Sequence, residues 1–297
     1  MRPRATQLTA REFSRRVEAL FALCEECRLC PRECRVNRLA GEKGYCRAGA
    51  TLRVAHAGPH FGEEAVLVGS HGSGTIFFSH CGLRCAYCQN ADISLSGDGT
   101  DMSAEECAGA MLRLQELGCH NINLVTPTHY APLIADSLLR AVQKGLRLPL
   151  VWNCGGYERV EALRLLDGIV DIYMPDIKYS RQDTAEQFSR APDYFDRAKE
   201  AIREMHRQVG TLTVKDGRAV RGLLVRHLVL PEDAAGTEEV LRFIAEEISP
   251  DTYVNVMAQY RPCRNLPPPL DRRITRHEYH AAVQCAVRLG LIRGLGL

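Results

Sequence analysis

Cys81, Cys85 and Cys88 stand in the pattern C-x3-C-x2-C, with Tyr87 just before the third. Three thiolates at this spacing can ligate three irons of a [4Fe–4S] cube and leave the fourth iron without a protein ligand. An open coordination position is what a reactive metal centre needs, whereas a structural site is closed. The neighbouring aromatic can shield a cluster from water and influence its potential. The plainer alternative is half of a zinc site, because C-x2-C also occurs in zinc ribbons. Against it, no fourth Cys or His follows at ribbon spacing.

A second group, Cys27, Cys30, Cys34 and Cys46, has the spacing C-x2-C-x3-C-x11-C, and Cys24, three residues earlier, can substitute for one member. Four thiolates make a closed site. A second [4Fe–4S] cluster and a structural Zn²⁺ both fit this ligand count, and both prefer sulfur. A cluster there could relay electrons or bind substrate. These two groups hold eight of the 13 cysteines. Such clustering in a chain with no sign of a secreted disulfide scaffold points to metal ligation in a reducing compartment, and so to the cytoplasm. Of the remainder, Cys154 and Cys263 follow apolar runs and can face a cavity or be idle thiols; Cys107, Cys119 and Cys285 read as core or surface.

The bulk composition fits an ordinary soluble globular protein, with 45% hydrophobic and 25% charged residues. With 38 basic against 36 acidic residues, the net charge of +2 gives no footprint for nucleic acid or an anionic membrane. No apolar core follows the early arginines to make a signal peptide, and no run approaches the ~18 apolar residues of a membrane span.

The elements that must position the cysteines follow from periodicity. Residues 11–23 have helical spacing, and residues 24–49, rich in Cys, Arg and Gly, read as a metal-stapled module. Strands are expected at 75–79, 122–126, 148–153, 170–175, 223–230 and 253–257. Helices are expected at 104–118, 131–145, 158–168, 181–209, 237–248 and 277–290. Repeated strand-then-helix order implies parallel strands in an α/β barrel, with the site at their carboxyl ends. The expected division is an N-terminal helix and Cys-rich module over 1–50 and a partial barrel over 51–297.

Several stretches carry a closer resemblance: CRLCPRECRVNRLAGEKGYCRAG, PHFGEE, GSGTIFFSHCGLRCAYCQN, NLVTPTHY, YMPDIKYS, VRHLVLPE and YVNVMAQYRP. Together they resemble the radical S-adenosylmethionine (SAM) proteins related to pyruvate formate-lyase activating enzyme, in the subgroup with an added N-terminal Cys-rich segment. The resemblance implies a partial (β/α)6 barrel, a [4Fe–4S] cluster at Cys81, Cys85 and Cys88, and reductive cleavage of SAM to a 5′-deoxyadenosyl radical that abstracts hydrogen. It implies a low-potential electron donor such as flavodoxin or ferredoxin, and a glycyl radical enzyme as partner. It aligns Asp176 and Lys178 with an Asp-x-Lys pair that helps hold SAM, and Arg226 with a polar SAM contact. Asn153, Asn255 and Gln259, around other strand ends, can also meet SAM or substrate.

The second strand departs from the family pattern. Activating enzymes carry Gly-Gly-Glu after it, where the SAM amino group binds; here Thr126-Pro127-Thr128-His129 stands instead. Thr126 and Thr128 can bond that ammonium, Thr128 can equally be a helix cap, and His129 can face substrate as an acid or base. His60, Glu63 and Glu64 either line the site mouth or form a solvated loop. A radical enzyme modifying a small molecule or peptide is the rival within the same chemistry. A zinc-stapled binding protein without turnover is the rival outside it.

Overall fold

The structure, a computed structural model, describes residues 2–295. Helix α1 (Ala10–Ala22) begins at a reciprocal cap between Thr9 and Glu12 and buries Phe13, Val17 and Leu20, one face at helical spacing. The Cys-rich segment follows. Strand β1 (Leu52–His60), the short helix α2 (Ala65–Val68), strand β2 (Ser73–Phe78) and strand β3 (Thr100–Met102) come next. The chain then alternates: α3 (Ala104–Glu116), β4 (Ile122–Val125), α4 (Ala131–Gln143), β5 (Leu150–Cys154), α5 (Val160–Leu165) and β6 (Ile172–Pro175). Two helices, α6 (Gln182–Ser189) and α7 (Tyr194–Val209), lead to a hairpin, β7 (Thr213–Lys215) and β8 (Arg218–Leu228). The last elements are α8 (Thr237–Phe243), β9 (Tyr253–Met257) and α9 (Arg276–Arg288).

Strands β2, β4, β5, β6, β8 and β9 are parallel neighbours in that order and form the expected partial α/β barrel. Both faces are covered, so the strands are almost continuously apolar. Outward residues such as Phe78, Leu124, Trp152 and Tyr173 pack beneath the helices. Inward residues in the lower barrel form a separate apolar plug of Leu67, Val151, Ile172, Met174, Leu212, Ala219 and Leu224. Above the plug the register aligns Val125 with Asn153, Asp176 with Arg226, and Arg226 with Asn255. Parallel pairing therefore gathers the polar strand ends at one level.

Three strands lay outside the six expected. Strand β1 pairs antiparallel with β2 and β3, and β7 with β8. The β1 sequence LRVAHAGPH hides its strand character, since Gly58 and Pro59 count against a strand and its polar face is exposed. The single helical region expected over 181–209 is two helices. Arg190 turns left-handed at φ 50° and Pro192 lies in the joint, unable to donate a helical hydrogen bond. The N-terminal segment shares one buried cluster with the barrel: Leu20, Leu23, Cys27 and Leu29 lie in the same core as Leu83 and Tyr130. No helix of the described residues is long and apolar enough to cross a membrane.

Candidate functional site: a cysteine loop facing a charged strand-end row

A cavity of about 440 Å³ opens at the carboxyl ends of the parallel strands. Cys81, Cys85 and Cys88 line it together with Asn153, Asp176, Lys178 and Arg226. The cysteine loop follows β2 directly and curls through left-handed backbone at His80 (φ 72°) and Arg84 (φ 52°). Each sulfur already faces one donor. The Leu83 N–H points at Cys81 Sγ (3.4 Å), Ser189 Oγ donates to Cys85 Sγ (3.0 Å) and Ser94 Oγ to Cys88 Sγ (3.1 Å). Such donors bond a thiolate far better than a neutral thiol, so the loop suits sulfurs that carry charge in a cluster. Burial meanwhile raises the free Cys81 thiol and pushes Cys85 up to about 11, so metal loading must displace protons. Tyr87 is buried edge-on against Tyr179 and Tyr260, with ring centroids 6.1 and 6.0 Å away.

The polar lining is a chain of charges. Arg226 Nε donates to Asp176 Oδ1 (2.8 Å), its Nη2 to Asn153 Oδ1 (2.7 Å), and its Nη1 reaches Glu63 Oε2 (3.4 Å). Lys178 Nζ donates to Asp176 Oδ2 at 2.6 Å. Burial alone would raise the Asp176 carboxyl, but Arg226 and Lys178 together hold it below the usual range. Burial opposes the charge on Lys178, yet Asp176 and the nearby Cys85 raise its pKa. Burial dominates at Glu63 and raises its pKa in spite of Arg226. Beside this chain, Asn255 Nδ2 donates to Glu64 Oε1 at 2.8 Å.

The structure thus brings Asn153, Asp176, Lys178 and Arg226 together with the three cysteines. Thr126 also lines the cavity, at φ 58°, with its N–H on the Asn153 carbonyl (2.8 Å). A β-branched residue held left-handed is a strained backbone position, of the kind that recurs at binding sites. Thr128 stands outside the cavity wall, its hydroxyl donating to Glu158. His129 is buried behind the cysteine loop with Nε2 on the Ser79 carbonyl (2.8 Å), and burial lowers its pKa to about 3. It is a neutral strut. PHFGEE divides: Phe61 is exposed, His60 and Glu63 line the cavity, and Glu64 is bound to Asn255. Cys154 and Gln259 line the cavity, whereas Cys263 is exposed.

Ser94 and Ser189 escaped the sequence reading. Ser189 lies 104 residues from the sulfur that it meets, and no local pattern marks it. Glu158 was also missed. It is buried after β5, pushed up to about 7 by burial, with the Thr128 hydroxyl donating to its carboxyl group. The Gly155-Gly156 turn before it was the available signal. A methyl group at Gly155 would stand 2.7 Å from Leu83 Cδ1, so the β5 turn lies close against the cysteine loop and a larger residue would make the Leu83 side chain shift.

In the N-terminal segment Cys24, Cys27, Cys30 and Cys46 are buried and Cys34 half-buried. Cys27, Cys34 and Cys46 lie near enough to Cys30 to add to the effect of its burial. Burial pushes Cys24 up to about 11 and raises Cys30 and Cys46 further from ionisation. Glu33, Arg35 and Arg47 have positive φ around Cys34, as His80 and Arg84 do in the other loop. Among the described residues, no group of three or more His, Cys, Asp or Glu forms a site for a single metal ion.

A parallel partial barrel with three cysteines in the loop after its first strand, facing a charged strand-end row, defines the architecture of radical SAM enzymes. Residues 75–219 match the radical SAM superfamily. An uncharacterized protein of Methanocaldococcus jannaschii, MJ0674, is 32% identical over 288 residues, 93% of this chain and 78% of the relative. The chain belongs to the radical SAM superfamily, and that membership implies a [4Fe–4S] cluster and SAM.

Proposed function

We propose that Cys81, Cys85 and Cys88 hold the cluster and that the chain activates a partner by hydrogen abstraction, as a glycyl radical enzyme activase does. When bound, the cluster supplies one electron to the SAM sulfonium, releasing methionine and a 5′-deoxyadenosyl radical. The observation that carries the reading is the cavity itself, where the three sulfurs face Asp176, Lys178, Arg226 and Asn153 across about 440 Å³. Lys178, within reach of both Asp176 and Cys85, suits the methionine carboxylate. Asp176, held ionised by two cations, suits an ammonium or ribose hydroxyls. The strained Thr126 lines the same space. Tyr87 and the apolar plug keep water from the cavity's inner side.

The reading extends to residues 1–50 as a module with a second [4Fe–4S] cluster on Cys27, Cys30, Cys34 and Cys46. Support comes from the left-handed residues shared by the two cysteine loops, since successive backbone N–H groups curled this way favour anionic clusters.

The test is anaerobic. After reconstitution with iron and sulfide, metals are counted and 5′-deoxyadenosine is assayed with SAM and dithionite. Product that disappears in Cys85→Ala is expected; product that persists there would refute the cluster assignment. In Cys27→Ala about four irons per chain should be lost; loss of zinc at constant iron would replace the second cluster with a structural metal. Incubation with glycyl radical proteins followed by electron spin resonance tests the partner. Buried Glu63 favours a second reading, a small polar substrate bound at the cavity floor, and absence of any glycyl signal would turn the assignment to it.

A further inference from the structure

The N-terminal cysteine segment packs against the loop that carries Cys81. Gly82 follows Cys81, and a methyl group at Gly82 would lie 3.7 Å from Cys30 Sγ. Arg32 fixes this contact. Its Nε donates to the Gly82 carbonyl (3.0 Å), its Nη2 to the Ser189 carbonyl (2.6 Å), and its Nη1 to the Arg190 carbonyl. Its guanidinium also stacks 4.1 Å over Tyr45 and 5.3 Å over Tyr157. Ser189 is the residue whose hydroxyl bonds Cys85. One arginine therefore ties the N-terminal segment to the start of the other cysteine loop and to the residue that bonds its second sulfur.

The far end of the segment meets the surface. Cys34, half-buried where Cys27, Cys30 and Cys46 are buried, lies under the turn 43–47. The Tyr45 N–H points at Cys34 Sγ (3.2 Å), and a methyl group at Gly44 would stand 2.9 Å from that sulfur. The turn carries Lys43 and Arg47, both exposed. Neither forms an ion pair among the described residues, whereas nearby Arg35 is bound to Glu26 (3.3 Å) and Arg53 to Asp101 (3.0 Å). The adjacent Glu42 is engaged at the Asn37 N–H (2.7 Å). Free cations therefore flank the outer sulfur, and the inner sulfur abuts the loop of the reactive cluster.

We propose that the N-terminal segment is the electron entry port. An acidic one-electron donor protein, a flavin or iron–sulfur carrier, docks on Lys43 and Arg47, and its electron passes through the N-terminal cluster to the cluster at Cys81, Cys85 and Cys88 by way of Cys30 and Gly82. The proposal rests on the second-cluster reading above. The step balances with one electron. A flavin hydroquinone would give up one electron and become the semiquinone, Cys27, Cys30, Cys34 and Cys46 would hold the group that accepts it, and no covalent bond would change. Fixed docking by Arg32 keeps the transfer distance constant.

The test uses the chain loaded with both clusters, its iron and zinc counted first. It is mixed anaerobically with flavodoxin hydroquinone in a stopped-flow instrument, and cluster bleaching is followed. Replacing Lys43→Glu and Arg47→Glu together should slow reduction about tenfold or more at low salt. Reduction by photoreduced deazaflavin, a small neutral reductant, should stay unchanged. A double variant reduced by flavodoxin as fast as the parent would overturn the docking site. A Cys27→Ala, Cys34→Ala chain that lacks the outer cluster should be slowed with flavodoxin while still reduced by deazaflavin. Reduction of that chain at the parental rate would overturn the relay. Zinc in place of iron in the segment would be seen before mixing. It would overturn the proposal through the second-cluster reading, and so be told apart from a failure of docking or relay.

Discussion

Arg226 shows how much one side chain can hold. It bonds Asp176, Asn153 and Glu63 at once, with its side chain 16% exposed and theirs 15% for Asp176 and 8% for Glu63. Removing one partner of a buried pair leaves an uncompensated charge, at a cost of about 3–5 kcal/mol. Arg226→Met is expected to lower stability by about 3 kcal/mol in chemical denaturation and to abolish SAM binding in calorimetry. Unchanged stability would mean that Glu63 and Asp176 have other partners. The inward row of Asn153, Asp176 and Arg226 was legible because each residue closes or interrupts an apolar strand, where a polar group needs a reason. Glu63 was not, because a short acidic pair after Phe61-Gly62 reads equally as a solvated loop.

At the scale of elements, two turns govern how strand ends meet the cysteine loop. Gly156, at φ 75°, has the Asp176 carbonyl oxygen 2.2 Å from where a methyl group would stand. The β5 turn can lie against the end of β6 only with glycine there. Gly156→Ala should displace Asp176, cost more than about 1 kcal/mol and weaken SAM binding; a thermal melt together with a SAM titration checks both. Glu158 couples the β5 turn to the loop after β4 through Thr128. Burial raises its pKa from 4.5 to about 7, so the unfolded chain ionises first. Stability linked to Glu158 is fully present below pH 4.5 and is lost as pH rises through about 7. Gln mimics the protonated acid. Glu158→Gln should therefore match the parent near pH 4.5 and exceed it by about 3 kcal/mol at pH 8. A parent and variant with the same pH dependence between 5 and 8 would remove Glu158 as its source.

For the whole molecule, the decisive feature is how the N-terminal segment joins the barrel. Arg38 donates to the His129 and Gly49 carbonyls, and Arg32 reaches across to Gly82, Ser189 and Arg190. These arginines connect parts of the chain more than 90 residues apart, since the Arg38–His129 bond spans 91 and the Arg32–Ser189 bond 157. Arg32→Ala should loosen the segment without unfolding the barrel. Limited proteolysis would then cut within residues 24–50 at least tenfold faster, an opening cost of about 1.4 kcal/mol, while the parent resists. Equal cleavage rates would place the docking energy in the shared apolar core instead.

The sequence by itself determined the parallel barrel and the spacing of both cysteine groups. Those features rest on local rules: a period of 2 or 3.6, a glycine after each early helix, and short ligand intervals. It could not decide that Cys30 meets Gly82, that Ser189 meets Cys85, or that β1 extends the sheet through a run containing Gly58 and Pro59. Those are long-range contacts between polar or glycine positions that carry no periodic signal. The same limit explains His129, whose type suggested acid–base work. Only the folded core, closing around it and the Ser79 carbonyl, makes it a neutral strut, because a charged imidazole cannot be desolvated there.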